Sequence, residues 1–119
     1  MTVGTPLSYV LERFLNVASQ RSQLVTTNMA NIDTPGYRTR DLDFQSELRR
    51  ALLDSTDTAA MPAVRSVQGL VERPDGNNVS LDREGLLLAE TQMQFRLGVQ
   101  LIKGEFHRLL TAINEGRSA

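Results

Sequence analysis

The sequence predicts an all-α chain in which two long helices, one near each end, pair as a coiled-coil-like hairpin around an irregular, partly extended middle with one short helix. Three observations lead there. Apolar residues recur at three- and four-residue intervals near both ends of the 119-residue chain, the spacing of one helical face. Three of the four prolines fall within residues 34–79, where they interrupt regular structure. The composition, 40% apolar and 23% charged, suits an ordinary folded protein, neither disordered nor membrane-embedded. The chain reads as a single domain.

The N-terminal helix is expected over residues 5–33. Thr5-Pro6 offers an N-cap followed by proline at the first helical position. A one-sided stripe then runs through Leu7, Val10, Leu11, Phe14, Val17, Ala18, Leu24 and Val25. The helix has to stop near Asp33, because Pro35 confines Thr34 to extended geometry and Gly36 breaks it further.

Residues 34–79 are expected to hold a turn, one short helix and irregular chain. Asp41 to Phe44, followed by Leu48, Ala51 and Leu52, reads as a short helix with an acidic cap. The stretch 54–62, DSTDTAAMP, reads as loop, and Val64 to Val71 as either a short strand or nothing regular.

The C-terminal helix is expected over residues 80–115. Ser80 is a candidate N-cap, and Asp82 and Glu84 favour the positive end of the helix dipole. Leu81, Leu88, Phe95, Val99, Ile102, Phe106, Leu109 and Ile113 share one heptad-like seam, broken only at Gly85 and Gln92. Leu86, Leu87, Met93, Leu97, Leu101 and Leu110 lie off that seam. One partner helix cannot cover both faces, so part of this surface calls for another chain. The isolated chain is therefore expected to be marginally stable.

Composition excludes several function classes. A net charge of -1 provides no basic field for nucleic acid or anionic lipid. The absence of cysteine removes disulfides, thiolate nucleophiles and Cys-ligated metals. No segment approaches the roughly 20 apolar residues of a membrane span. The opening MTVGTPLSYVLERF has no basic stretch before an apolar core, so no cleaved signal is expected. The lone His107 cannot build a histidine metal site, and Asp41 and Asp43 read as capping or ion-pairing groups rather than an acid–base pair. No phosphate loop, nucleophile elbow, zincin or EF-hand motif is present. No catalytic residue, cofactor, metal or small-molecule substrate is expected, and the chain does not read as an enzyme.

One segment is specified more tightly than the rest: Asn28-Met-Ala-Asn31-Ile-Asp-Thr34-Pro35-Gly36-Tyr37. Two asparagines three apart share a helix face and can bond terminal carbonyls or a neighbouring chain. Pro35-Gly36 suits the centre of a type II turn, and Tyr37 follows as an amphipathic anchor. These residues alone are equally consistent with a purely local helix exit.

The same segment resembles the signature of the bacterial flagellar axial family, the rod, hook and hook-associated proteins. The matching residues are Asn28, Asn31, Thr34, Gly36 and Tyr37, continued by Arg38-Thr-Arg40-Asp41-Leu-Asp43-Phe44. A later run, Asp75-Gly-Asn-Asn-Val79 with Leu81-Asp82-x-Glu84, is similar to the short cell-proximal rod members. Gly85 departs from the larger residue expected there. The resemblance spans roughly residues 5–53 and 74–114. It implies a structural subunit of the proximal rod, whose terminal helices pack with copies of itself and other rod proteins to form a torque-transmitting shaft lining an export channel. Membrane-ring and export-gate proteins are the implied partners at the rod base. The implied location is the basal body in the periplasmic space, reached through the flagellar type III apparatus. Another rod position in the same family, or a soluble helical-hairpin adaptor or secretion chaperone, are the alternative readings.

Overall fold

A computed structural model of the protein describes residues 6–53 and 62–118, the side chains of residues 117 and 118 excepted. The elements in order are helix α1 (Pro6–Ala30), strand β1 (Arg40–Leu42), helix α2 (Phe44–Leu53), strand β2 (Val64–Ser66) and helix α3 (Leu81–Ser118). The chain is mostly helical and elongated, 72 × 25 × 20 Å along its principal axes. At 1.5 Å per residue, α1 is about 37 Å long and α3 about 57 Å.

The two long helices run antiparallel. Asn77, just before α3, bonds carbonyls at the end of α1, while Gly98 in mid-α3 lies on Phe14 and Leu15 of α1. A Cβ at position 98 would stand 2.7 Å from Leu15 Cδ2 and 2.8 Å from Phe14 Cδ1, so only glycine lets the helices approach this closely. Gly85 and Gly104, by contrast, face open space.

The heptad-like seam is not the line of deepest burial on α3. That line runs through Glu84, Leu87, Thr91 and Gly98. Leu88, Val99, Ile102 and Leu109 are half-buried at its margin, whereas Leu81, Phe95, Phe106 and Ile113 are exposed. The physical reason is that polar contacts at the foot of α3 set its azimuth, and Gly98 seats it against α1. On α1, Leu11, Val17 and Val25 are buried and Phe14 half-buried, but Leu7 is exposed.

The middle segment departs from the all-α expectation. β1 and β2 form a two-stranded antiparallel sheet, pairing Arg40 with Ser66, Asp41 with Arg65 and Leu42 with Val64. Residues 40–42 cannot start the short helix because Asn28 holds the backbone of Arg40 in extended form. The helix begins three residues later than expected, at Phe44. Asp43 caps it, accepting the Ser46 N–H at 3.2 Å and the Ser46 hydroxyl at 2.7 Å. Phe44 closes the core on Val17, Ala18 and Leu42, with its ring edge-on to Phe14 at 5.2 Å.

Helix ends differ by a few residues from expectation. α1 stops at Ala30 because the Asn31 side chain turns back to the Thr27 carbonyl at 2.8 Å. α3 continues through Gly116, since one exposed glycine costs a helix only about 1 kcal/mol and no proline follows. The Thr5 cap and most of the 54–62 loop lie outside the described residues. Among the described residues, no helix is long and apolar enough to cross a membrane.

The contrast among the glycines is testable. Gly98→Val should destabilise the helix pair by about 1–3 kcal/mol through overpacking. Gly85→Ala should stabilise α3 by up to about 1 kcal/mol. Far-UV circular dichroism during a urea titration of the purified chain reads both, and equal midpoints would remove Gly98 as the crossing point.

Candidate functional site

The residues between the two long helices close into a compact joint built almost wholly from hydrogen bonds. Asn28, in the last turn of α1, is buried. Its Nδ2 donates to the Arg40 carbonyl at 2.8 Å, and its Oδ1 accepts the Arg40 N–H at 3.2 Å and the Tyr37 hydroxyl at 2.9 Å. One side chain thus pins strand β1 to helix α1. Burial raises the Tyr37 pKa above the usual phenol value, with Arg40 opposing and Glu84 adding to the shift. The hydroxyl therefore remains a neutral donor to Asn28 at physiological pH.

Asn31 closes the helix end. Besides its bond to Thr27, its Oδ1 accepts the Thr34 hydroxyl at 3.0 Å. Thr34 to Tyr37 then form a β-turn, with the Tyr37 N–H donating to the Thr34 carbonyl at 3.2 Å and Gly36 at φ 74°. That φ is the value a type II turn needs at its third residue.

The second half of the joint comes from residues 73–80, of which the sequence marked Ser80 as a helix cap and the run Asp75–Val79 through its family resemblance. Asn77 is fully buried, and its Nδ2 donates to the carbonyls of Asn31 and Thr34, both at 2.9 Å. Its Oδ1 accepts the Val79 N–H at 2.8 Å. Asn78 is also buried, and its Oδ1 accepts the Thr39 N–H at 2.6 Å. Asn78 and Val79 are therefore part of the interior, and Ser80 accepts the Arg83 N–H at 3.3 Å as the α3 cap. The Gly36 N–H donates to the Asp75 carbonyl at 2.9 Å, and Gly76, at φ 88°, packs on Gly36. Arg73 reaches across to the Ile32 carbonyl. Tandem asparagines just after a Pro-Asp-Gly turn were the available signal for this half.

An ion chain runs beneath the joint. Arg21 of α1 grips Asp41 of β1 at 3.1 and 3.2 Å. Arg83 of α3 bridges the same carboxylate at 2.8 Å and Glu84 at 2.8 Å. Glu84 is fully buried, with one carboxylate oxygen lacking a hydrogen-bond partner. Glu47 of α2, also buried, bonds Arg13, Arg50 and the Ala63 N–H. These residues tie α1, β1, α2 and α3 together, and sequence reasoning missed Arg21, Arg83 and Glu84 as members. Among the described residues no three His, Cys, Asp or Glu side chains stand where they could hold a metal ion.

Comparison with known proteins bears on what this joint belongs to. No family model matches. Three relatives, each named flagellar basal body rod protein FlgB, align over most of the chain. The protein of Cereibacter sphaeroides is 35% identical over 106 residues, covering 78% of this chain and 82% of the relative. The chain belongs to the FlgB family of flagellar basal-body rod proteins. The Bacillus subtilis protein is 29% identical over 119 residues, covering 90% and 92% of the two chains. The Escherichia coli protein is 29% identical over 122 residues, covering 86% and 88%.

In this FlgB-family chain the sequence-selected residues divide into two groups. Asn28, Asn31, Thr34, Pro35, Gly36, Tyr37, Arg40, Asp41, Asp43 and Phe44 lie in or beside the joint, all on the path from the end of α1 to the start of α2. The helix-seam residues lie elsewhere, along the length of the two long helices. Of these, Phe95, Phe106 and Ile113 are exposed on α3. The joint is an internal device, and the exposed seam is a separate surface.

Two outcomes test the joint. Gly36→Val, forced into a left-handed conformation, should lower stability by about 1–3 kcal/mol. Arg50→Ala, which removes only a partly exposed bond to Glu47, should cost under about 1 kcal/mol. Equal effects on denaturant midpoint and motility would reduce the turn to a passive connector. Separately, hydrogen bonds from Ser46 hold the Asp43 carboxyl below its ordinary pKa. Its contribution is therefore present above the ordinary carboxylate value and lost as pH falls through the lowered one. Ser46→Ala should move the Asp43 pKa back toward its ordinary value, read by NMR titration.

Proposed function

We propose that this FlgB-family chain is a structural subunit of the proximal rod, joining copies of itself and other rod proteins through its terminal helices. On this reading its role is mechanical, and it transmits torque and lines the channel through which later subunits are exported. Membrane-ring and export-gate proteins would meet it at the rod base. Export would proceed through the flagellar type III apparatus, placing the chain in the periplasmic part of the basal body.

The observation that carries this reading is the outward surface of α3. Leu86, Met93, Phe95, Leu97, Leu101, Phe106, Leu110 and Ile113 are all exposed large apolar side chains on one helix. A run of that length along a single element is an association surface rather than the scattered apolar exposure of ordinary monomers. The sparse apolar core supports the same conclusion. Asn28, Thr39, Glu47, Asn77, Asn78, Glu84 and Thr91 are buried alongside only eight apolar residues among those described. Such an interior specifies the fold-back geometry, while much of the apolar surface remains outside it.

The test replaces Phe106 or Leu110, both exposed, by Asp in a bacterium that carries this chain as its only copy. Both variants should fail to enter the rod, and swimming should be lost. Normal motility with either would remove the α3 surface from rod assembly.

A further inference from the structure

The turn that brings residues 73–80 back to α1 carries a reactive pair. Asp75 is the one aspartate in the chain followed by glycine, and no asparagine is. Glycine leaves the backbone nitrogen next to the carboxyl group unshielded by any side chain. At such a pair the nitrogen can attack the carboxyl carbon. The bond from Gly76 N to Asp75 Cγ forms, the Cγ–OH bond breaks, and the amide proton leaves with the hydroxyl as water. The product is a five-membered cyclic imide, which water then reopens. When water cleaves the original peptide bond, isoaspartate results: the backbone now runs through Cβ and Cγ, and the former carbonyl carbon becomes a free carboxylate. Mass and charge are unchanged.

The closed joint holds every group that this reaction must move. The Gly76 N–H donates to the Arg73 carbonyl at 2.9 Å, so the nitrogen keeps its proton. The Asp75 carboxylate points onward, its Oδ1 accepting the Asn77 N–H at 3.0 Å. Asp75 is the third residue of the Arg73–Gly76 turn and has a negative φ. That is the type I form with ψ near zero, from which ring closure needs a rotation of about 120° around the Asp75 Cα–C bond. Bonds on both sides oppose the rotation. The Asp75 carbonyl accepts the Gly36 N–H at 2.9 Å, and the Gly76 carbonyl accepts Arg38 Nη1 at 3.3 Å.

We infer that Asp75–Gly76 is a site of spontaneous backbone modification, inert while the joint is closed and converted to isoaspartate in any chain whose joint is open. The conversion needs only water and is independent of any partner chain. Its product does not fit the place the aspartate leaves. Isoaspartate adds one carbon to the backbone, about 1.5 Å of chain. The addition falls between the Asp75 contact with Gly36 and the buried Asn77, which bonds the Asn31 and Thr34 carbonyls at 2.9 Å. Both sets of bonds cannot be kept across a longer link, and a buried amide that loses its partners is costly. A modified chain therefore does not close the joint again. The turn acts as a timer that withdraws copies left unfolded too long from the pool able to adopt this fold.

The purified chain is incubated in buffer and in urea sufficient to unfold it. Isoaspartate is measured by enzymatic carboxyl methylation with a labelled methyl donor and located by chromatography of the peptides spanning residue 75. Exchange of the Gly76 amide proton, followed by NMR, reports closure of the joint in the same samples. Isoaspartate should form at least about tenfold more slowly in buffer than in urea. Asn77→Ala, which keeps the Asp-Gly pair but opens the joint, should raise the rate in buffer towards the urea value. Asp75→Glu should give no product at this position in either condition. Modified chains, separated and returned to buffer, should exchange the Gly36 amide proton freely. Rapid Gly76 exchange in the unmodified chain in buffer, equal rates in buffer and urea, or no product in urea would each overturn the protected site. Modified chains that regain slow Gly36 exchange would overturn the timer.

Discussion

The fold depends on the buried side chain of Asn28. It satisfies both backbone groups of Arg40 and receives the Tyr37 hydroxyl, so it decides where the chain goes after the first helix. Without it, Arg40 would lose its extended anchor, which sets β1 against β2 and presents Asp41 to Arg21 and Arg83. Buried polar groups are costly unless fully paired. That cost is why the joint has one geometry rather than several: any other arrangement leaves amides without partners in the interior.

Asn77 repeats the same logic from the other side. By donating to the carbonyls of Asn31 and Thr34, it adds a second bond to carbonyls that already accept the Thr34 and Tyr37 N–H groups of the turn. It also brings the start of α3 alongside the end of α1. Helix pairing here is thus specified at the closed end by hydrogen bonds and at the crossing by Gly98, with apolar side chains filling the space between. The helix therefore turns polar and small residues, Glu84, Thr91 and Gly98, toward its partner, and large apolar ones toward the outside.

These features explain what the sequence disclosed. Helical periodicity placed both long helices to within a few residues, and Pro35-Gly36 located the turn, because those signals are local. Resemblance of the Asn28–Tyr37 segment pointed to the family that the relatives establish. Strand β1 was not visible, because Arg40–Leu42 is extended through contact with Asn28, whereas the short strand that was one reading of Val64 to Val71 is present as β2, paired with β1. Nor could periodicity reveal which α3 stripe faces inward. Two apolar stripes compete there, and the choice is made by Arg83, Glu84 and Gly98, residues that an apolar pattern passes over.

The unequal lengths of α1 and α3 give the molecule two unlike ends. At one end the backbone doubles back and its polar groups are consumed internally; at the other α3 runs past the described start of α1. A body of this kind has a direction, like an arrow, and a two-fold related pair would have to join like end to like end. Any array that keeps all copies in register inherits that direction. Its two tips then differ chemically however many copies it contains, so growth and termination need not obey the same rules at each.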